Sequence, residues 1–451
     1  MPLNPKYQVI IDDHEREDIL PAITDRQQRM LNILDDGTIM DLALEIGEMA
    51  VEDQEHLRWP VYYHDHDQID PSLSTASSVA IADADGPREM CELLHTIHPK
   101  VVHSIILNTI AYQWTADDHF KDLVMPVDGC AGSYVATFAV KGRNGKGLTI
   151  KEWRMVQQKW DMYIAKDPKD AVEATIIDMK YPCASWNKET ILEGNENGER
   201  KLWFKTAHQF SECINLRIPS DWVPNEDVPQ LQSPLYIGCS KDLAARVHYY
   251  DPLGTMSAAS KSWRLLMSIL KHCGIEVDTI MIPLIKIWET SHLNKAEILL
   301  TMLAGSHISE GGLNQHPPGG HRSMNHSEDK FLEAQTQAFC RYRWTTENLR
   351  RSEEELDRRL RAFDTLRSLE SLAKERDEMN EGIELLDRKL DSIAENVKVM
   401  ERSMEDRTNL LLDEAKRLDE ATKLLEPTIE ALKMQLQFHK NVEKWVESRS
   451  P

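Results

Sequence analysis

The chain has 451 residues, 41% of them hydrophobic, and a formal net charge of −22. This length and hydrophobic content suffice for two or three domains with buried cores, and they argue against wholesale disorder. The acidic balance excludes the strongly basic surface of a dedicated nucleic-acid binder, although the charge is uneven: −14 in residues 1–150, −2 in 151–326 and −6 in 327–446.

Three features indicate an intracellular protein, in the cytoplasm or the nucleus. The N-terminus lacks the basic and apolar segments of a secretory signal, and no apolar run approaches the roughly 18 residues that span a bilayer. The seven cysteines are scattered and never spaced C-x-x-C, which argues against a disulfide framework and against a cysteine zinc site. We therefore expect a reducing compartment and no membrane contact.

Residues 1–125 are predicted to form an acidic, mostly helical N-terminal region. An acidic helical segment lies near 25–57, and apolar residues recur at helical spacing from Met90 to Trp114. Pro99 must break or start a helix within that second stretch.

Histidines in this region could bind a metal, but ordinary core or loop histidines are favoured. Pro99 disrupts the helical spacing that metal ligands would need, and no carboxylate lies in register with them. These histidines are His95, His98 and His103, whereas His64 and His66, which stand beside Asp65 and Asp67, are predicted to lie in a solvated loop.

Residues 126–326 are predicted to form an α/β region. The run 132–150, GSYVATFAVKGRNGKGLTI, predicts a β-hairpin around Asn144-Gly145, and a helix is expected from Lys151 to about Ile164. The run is not a P-loop, because the G-x-x-x-x-G-K-[ST] spacing is absent. Further on, predicted strands at 235–238 and 277–287 alternate with helices. The expected fold class is α/β (α+β), a small mixed sheet with flanking helices.

Residues 327–447 are predicted to form a coiled coil. Apolar residues alternate by four and three from Met379 to Met404, and the pattern resumes from Leu411. Gly382 and Pro427 could each be a kink or the corner of a helical hairpin. An antiparallel hairpin within one chain and a parallel homodimer both fit the pattern, so we expect self-association or a helical protein partner.

Seven arginines between residues 341 and 361 could follow a phosphate backbone. Acidic residues are interleaved with these arginines along the same helix. A self-paired helix face is therefore the favoured interpretation.

The stretch PLYIGCSKDLAARVHYY, residues 234–250, carries the most informative motif. A short strand ends with Tyr236-Ile237-Gly238, and Arg246 follows ten residues after the tyrosine, early in a predicted helix. Tyr250 stands four residues beyond the arginine. Together with Glu297 in a later helix and Asn314 in a Leu-Asn turn, these residues resemble the second half of the GIY-YIG endonuclease motif, over about 235–320.

The resemblance implies a first strand that ends with a second tyrosine. The candidate is Tyr134 in Gly132-Ser133-Tyr134, which requires an insertion of roughly a hundred residues between two adjacent strands. If this assignment holds, the strand that carries Tyr134 must pair beside 235–238.

The chemistry that the resemblance implies is hydrolysis of nucleic-acid phosphodiester bonds with one divalent metal, Mg²⁺ or Mn²⁺. Glu297 would hold the metal, and Arg246 would stabilise the charge of the transferring phosphoryl group. Either Tyr236 or Tyr134 would orient or deprotonate the attacking water. Since the ordinary pKa of tyrosine is near 10, a metal or the arginine would have to lower it. Tyr250 and Asn314 complete the predicted set.

Two other functions stay open on the sequence alone. A catalytically silent protein could keep the GIY-YIG fold and bind nucleic acid weakly or not at all. A coiled-coil interaction scaffold would bind a protein partner through residues 329–446, and its function would not depend on the motif.

Overall fold

The computed structural model describes residues 23–55, 86–164, 168–180, 199–218, 226–247, 250, 256, 259–315, 318, 328–387 and 394–447. The chain divides into two compact units, Met1–Asn348 and Leu349–Pro451. The described part is mostly helical and carries one small sheet, which agrees with a mixed class of helices and strands.

The helices and strands have the following bounds. In chain order they are α1 (Asp25–Asp36), α2 (Ile39–Glu55), α3 (Gly86–His95), α4 (Pro99–Ile106), α5 (Ile110–Ala116), β1 (Gly132–Val140), α6 (Ile150–Ile164), α7 (Pro168–Asp178), α8 (Glu199–Ile214), β2 (Tyr236–Ser240), α9 (Leu243–Val247), α10 (Lys261–His272), β3 (Val277–Lys286), α11 (His292–Ala304), α12 (Glu328–Thr336), α13 (Arg343–Asp387) and α14 (Ala394–Glu447).

The three strands form one antiparallel sheet in the order β2-β1-β3. All nine residues of β1 are buried, because this central strand is covered on both faces. The expectation of a mixed sheet was wrong, since every strand pair among the described residues is antiparallel. Strand direction could not be read from the sequence because long segments separate the strands.

The predicted hairpin at 132–150 is also corrected. The turn forms, with Asn144 and Gly145 at positive φ and Val140 N–H donating to Lys146 O at 2.9 Å. The second run does not become a strand, however. Thr149 and Glu152 exchange hydrogen bonds between side chain and backbone, which is a capping box that starts α6 at Ile150.

The main core lies where helices cover the sheet. Trp153 and Trp160 of α6 are buried, and their indole N–H groups donate to Gln230 Oε1 at 3.0 Å and to Ala207 O at 2.9 Å. Trp263 of α10 joins the same cluster. Large aromatic side chains stabilise a core strongly, so the three tryptophans hold α6 and α10 against β1.

The boundary between the units lies inside α13, whereas the sequence placed the start of the coiled coil near residue 327. Asn348 Nδ2 donates to the carbonyl oxygens of His95 and Ile97 at 2.9 and 3.0 Å, and Trp344 Nε1 donates to Thr96 O at 2.9 Å. These bonds keep the first turns of α13 within the first unit. The predicted regions 1–125 and 126–326 both belong to that unit.

The second unit consists of the rest of α13 together with α14. Six residues, 388–393, connect the two helices, and residues of both helices line one groove. The helices therefore lie side by side and run in opposite directions, as a helical hairpin. Gly382 and Pro427 lie inside the helices and are not its corner. Leu390 and Ile393 of the predicted apolar pattern lie outside the described residues.

No helix in the described ranges combines the length and the apolar content that crossing a membrane requires.

Candidate functional site

The sheet brings the two halves of the predicted motif together. β1 pairs with β2 so that Tyr134 lies opposite Gly238, although roughly a hundred residues separate them in sequence. The strand that carries Tyr134 thus lies where the resemblance requires the first-strand tyrosine.

Gly238 makes room for the ring of Tyr134. A Cβ atom on Gly238 would lie 2.5 Å from Tyr134 Oη, 2.7 Å from Tyr134 Cζ and 3.1 Å from Tyr236 Cε1. Real Cβ atoms do not approach other atoms so closely, so any other residue would displace the Tyr134 ring. The glycine of the Tyr-Ile-Gly tripeptide therefore has a packing reason to be there.

A hydrogen-bonded cluster joins Tyr134, Arg246 and Tyr250. The two phenolic oxygens lie 2.8 Å apart, with either hydroxyl able to donate, and Arg246 Nε donates to Tyr134 Oη at 2.9 Å. The Arg246 guanidinium also lies over the Tyr250 ring, 5.7 Å from its centroid. We call Tyr134, Tyr236, Arg246 and Tyr250 the tyrosine–arginine cluster.

Aromatic contacts fix Tyr250 inside this cluster. Its ring centroid lies 5.6 Å from that of Tyr134, 5.5 Å from that of Tyr236 and 5.4 Å from that of Trp263. Tyr134 and Tyr250 are fully buried, whereas Tyr236 is only partly so. Of the three tyrosines, Tyr236 is therefore the least buried.

Burial sets the protonation of the cluster. It raises the pKa of Tyr134, Tyr236 and Tyr250 above the ordinary value of 10, and the positive charge of Arg246 opposes this rise without overcoming it. Burial disfavours the charged form of Arg246, but the neighbouring tyrosines raise its pKa above the usual range. At neutral pH the cluster therefore contains three neutral phenols and one cation. The expectation that Arg246 lowers a tyrosine pKa is not met by these residues alone.

Glu297 approaches the cluster from α11. The residue is 9% exposed, and its negative charge adds to the effect of burial in raising the pKa of Tyr236 and of Cys239. The α11 helix packs on β2, and Cys239 Sγ donates to Leu293 O at 3.4 Å. The helix thereby holds Glu297 beside the tyrosines.

Asn314 binds the backbone of β2. Its Oδ1 accepts from Ile237 N–H at 2.8 Å, and its Nδ2 donates to Ile237 O at 2.7 Å. Next to it, Leu313 N–H donates to Leu235 O at 2.9 Å. The amide therefore satisfies the outer edge of β2 as a neighbouring strand would, which is a positioning arrangement.

Arg217, which no sequence pattern predicted, supports the loop that ends at Asn314. Arg217 is buried and donates to Gly311 O at 3.0 Å and to Asn108 Oδ1 at 3.4 Å. Burial lowers the pKa of its guanidinium to about 10. No spacing or motif marks this arginine, because its partners come from distant parts of the chain.

The described histidines at 95 and 98 have structural partners. His95 is fully buried with Nδ1 2.7 Å from Cys91 O, and His98 Nδ1 accepts from Lys100 N–H as the cap of α4, with Pro99 at its first position. His64 and His66 lie outside the described residues.

One group of three possible metal ligands occurs among the described residues, and none of its members was predicted from the sequence: Asp128, Cys130 and Glu333. The ammonium group of the buried Lys286 forms an ion pair with Asp128 at 2.5 Å. Burial and the charge of Asp128 raise the pKa of Cys130 to about 12, so the thiol stays protonated. A protonated thiol and a carboxylate already paired with lysine make a poor metal site.

A scan against models of protein families, a search of curated proteins and a search of solved structures each found no match for this chain. Its interpretation therefore depends on the residues and their geometry.

Proposed function

We propose that this protein is a metal-dependent endonuclease of the GIY-YIG type that hydrolyses phosphodiester bonds in nucleic acid. The observation that carries the proposal is the antiparallel pairing of β1 with β2, which puts Tyr134 on Gly238 and within hydrogen-bond distance of Arg246. This pairing supports the proposal, because the resemblance requires the strand that carries Tyr134 to lie beside 235–238.

Arg246 is the residue that would bind the phosphoryl group. Arg246 stays positively charged, because the neighbouring tyrosines raise its pKa, and the residue is partly exposed. A planar, permanently charged guanidinium binds phosphate oxygens through paired hydrogen bonds and stabilises charge that develops on them. The bond to Tyr134 fixes the orientation of its Nε side.

Tyr236 would contact the attacking water or the phosphate as a neutral hydroxyl. Its raised pKa makes it a hydrogen-bond donor and acceptor and a weak general base at neutral pH. Tyr250 and Tyr134 are deeper in the cluster and would fix the ring of Tyr236 and the guanidinium. Asn314 would keep β2 in place through Ile237.

The donor set fits one Mg²⁺ or Mn²⁺ ion, held by Glu297. A carboxylate oxygen is a ligand that Mg²⁺ prefers, and the ion commonly keeps several waters and substrate oxygens around a single protein carboxylate. Cys239 lies nearby, but its pKa is raised well above 9 by burial, so it offers no thiolate. Such an ion would supply charge neutralisation at the phosphate.

The test is cleavage of a substrate with single- and double-stranded parts, with Mg²⁺, Mn²⁺ or a chelator. We expect Glu297→Gln to lower metal-dependent cleavage at least about 100-fold. Glu276→Gln is the matched control, because its carboxylate is 79% exposed and, among the residues that the structure describes, forms an ion pair with the exposed Lys141 alone. Thermal unfolding of both variants shows whether the fold is kept. Equal cleavage by wild type and Glu297→Gln would reject the assignment.

A second candidate is a catalytically silent protein that keeps this fold and acts as a coiled-coil scaffold. The deep burial of Tyr134, Tyr250 and Glu297, with neutral phenols throughout, favours it. In that case the wild-type protein shows no cleavage with either metal, and substitutions in the tyrosine–arginine cluster leave partner binding unchanged.

A further inference from the structure

The apolar surface of α13 is wider than one neighbouring helix covers. Leu366, Leu369 and Ala373 line the groove that α13 shares with α14, but Leu372 and Met379 do not, and their exposed fractions are 59% and 68%. At 3.6 residues per turn these five residues span an arc of about 140° around the helix. An apolar stripe this wide is typical of a helix that packs against more than one neighbour.

The groove itself is open to a further helix. It has a volume of about 320 Å³, and Leu369, which lines it, is still 53% exposed. On α14, Leu411 and Leu412 line the groove and are 40% and 51% exposed. Both helices of the hairpin therefore present apolar side chains that another helix can cover.

The charged residues around the groove argue against a partner whose charges all have the same sign. Charged residues of both signs border the apolar side chains, so neither a nucleic acid nor a strongly acidic or basic peptide is favoured. The residues are Glu370, Lys374, Arg376, Asp377 and Glu414.

The charge along α13 changes from one half to the other. Residues 349–367 carry six basic and five acidic side chains, whereas residues 368–387 carry two basic and seven acidic ones. The first half has a slight positive excess and the second half is strongly acidic. Two copies placed antiparallel would set the acidic half of each against the arginine-rich half of the other, whereas two parallel copies would align the acidic halves.

The available surface is large enough for a stable dimer. The part of α13 in the second unit, 349–387, is about 58 Å long at 1.5 Å per residue, and a strip about 10 Å wide along it has about 580 Å². α14 offers a strip of similar length. Together they exceed the roughly 800 Å² per partner of a standard interface.

The geometry points to a second copy of this chain as the occupant of the groove, with the two helical hairpins antiparallel in a four-helix bundle. The copy supplies apolar residues at the same spacing and the opposite charge at each end of α13. This inference concerns the second unit alone and does not depend on nuclease activity.

Sedimentation of the full-length chain at micromolar concentrations tests the inference. We expect a dimer for the wild type and a monomer for the double variant Leu369→Asp, Leu412→Asp, because both residues line the groove and two carboxylates cannot be buried in an apolar interface. Leu410→Asp is the matched control, since Leu410 is 65% exposed and does not line the groove; it should stay dimeric. A monomeric wild type, or a double variant that remains dimeric, would overturn the proposal.

Charge reversal tests the antiparallel arrangement. Arg351 and Arg361 form no ion pair among the described residues, and neither do Glu370 and Glu375. We expect the pair Arg351→Glu, Arg361→Glu to weaken dimerisation at least about tenfold, and Glu370→Lys, Glu375→Lys to do the same. A mixture of the two variants should recover dimers, because each then meets the opposite charge. Mixed proteins that do not associate better than either variant alone would overturn the antiparallel second copy.

Discussion

The tyrosine–arginine cluster and the helical hairpin are built by opposite means. The cluster joins residues from positions 134 to 250 through two paired strands and two aromatic contacts, and two of its three tyrosines are fully buried. The hairpin depends on a repeat of three and four residues within each helix, and its apolar side chains are largely exposed. Buried contacts hold the first region together, so small substitutions there should lower the free energy of unfolding strongly. The second region has many exposed side chains, so single substitutions there should change the free energy of unfolding little.

The largest effect is expected from Gly238→Val in the first region. The new side chain would overlap Tyr134 Oη and Cζ, so either the ring or β2 must move. Overpacking of this kind should lower the free energy of unfolding by about 3 kcal/mol, which urea denaturation followed by circular dichroism can measure.

Gly47→Ala is the control for that substitution. A Cβ atom at Gly47, within α2, would meet nothing within 4 Å, so alanine there should be neutral or stabilise the protein by up to about 1 kcal/mol. A similar loss for both variants would mean that the close approach of Tyr134 and Gly238 is not what makes the position sensitive.

A second effect of comparable size is expected on acidification, through the buried His95. Burial lowers its pKa from 6.5 to about 4 in the folded chain. Between pH 6.5 and 4 the unfolded chain binds a proton that the folded chain does not, so stability is fully present above pH 6.5 and falls as the pH is lowered through this window. A shift of this size corresponds to about 3 kcal/mol.

The measurement compares unfolding of wild type and His95→Gln at intervals from pH 7 to 4. The glutamine cannot titrate, so the loss of stability with falling pH should be smaller by about 3 kcal/mol in the variant. His119→Gln, at an exposed position, should follow the wild-type curve. Parallel curves for wild type and His95→Gln would contradict the assignment.

A smaller effect is expected from Tyr134→Phe. The change keeps the ring and removes the hydroxyl that accepts from Arg246 and bonds to Tyr250. Hydrogen bonds to charged groups contribute about 2 kcal/mol, and the free energy of unfolding should fall by about that amount in urea denaturation. Tyr342→Phe should be nearly neutral, because the Tyr342 hydroxyl forms no hydrogen bond within the part of the chain that the structure describes. Equal losses would show that the bond to Arg246 does not stabilise the fold.

The sequence predicted the local features of both regions better than their assembly. The strands predicted at 235–238 and 277–287 and the helix predicted at 151–164 lie close to their observed bounds, because apolar periodicity and caps act within a few residues. The prediction of a hairpin at 132–150 was wrong at its second strand. In the sequence Thr149 is typical of a strand and Glu152 of an exposed position, whereas in the structure the two residues form the cap of α6.

For the candidate site, the sequence predicted the residues that meet but not the way in which they meet. The pairing of β1 with β2 could be stated only as a requirement, since roughly a hundred residues separate the two strands. Spacing also could not reveal that burial raises the pKa of all three phenols, or that the Asn314 amide is used on the Ile237 backbone. Burial and hydrogen bonding depend on segments that are distant in sequence, as the unpredicted Arg217 also shows.

The smallest effect is expected for the arginines of α13. Arg358 and Arg359 both form ion pairs with the carboxylate of Glu355. Arg350 forms an ion pair with Glu354. Exposed pairs of this kind contribute about 0.3–0.5 kcal/mol, so Arg350→Ala should change the free energy of unfolding by no more than that.

The same ion pairs bear on nucleic-acid binding. A carboxylate on the same helix largely neutralises the charge of a paired arginine, so such an arginine attracts phosphate only weakly. If the protein binds DNA, the double variant Arg350→Ala, Arg358→Ala should therefore leave the dependence of affinity on salt unchanged. A slope of log affinity against log salt that falls by about 0.9 for each arginine removed would instead show direct phosphate contacts, and the hairpin would then belong to the nucleic-acid surface.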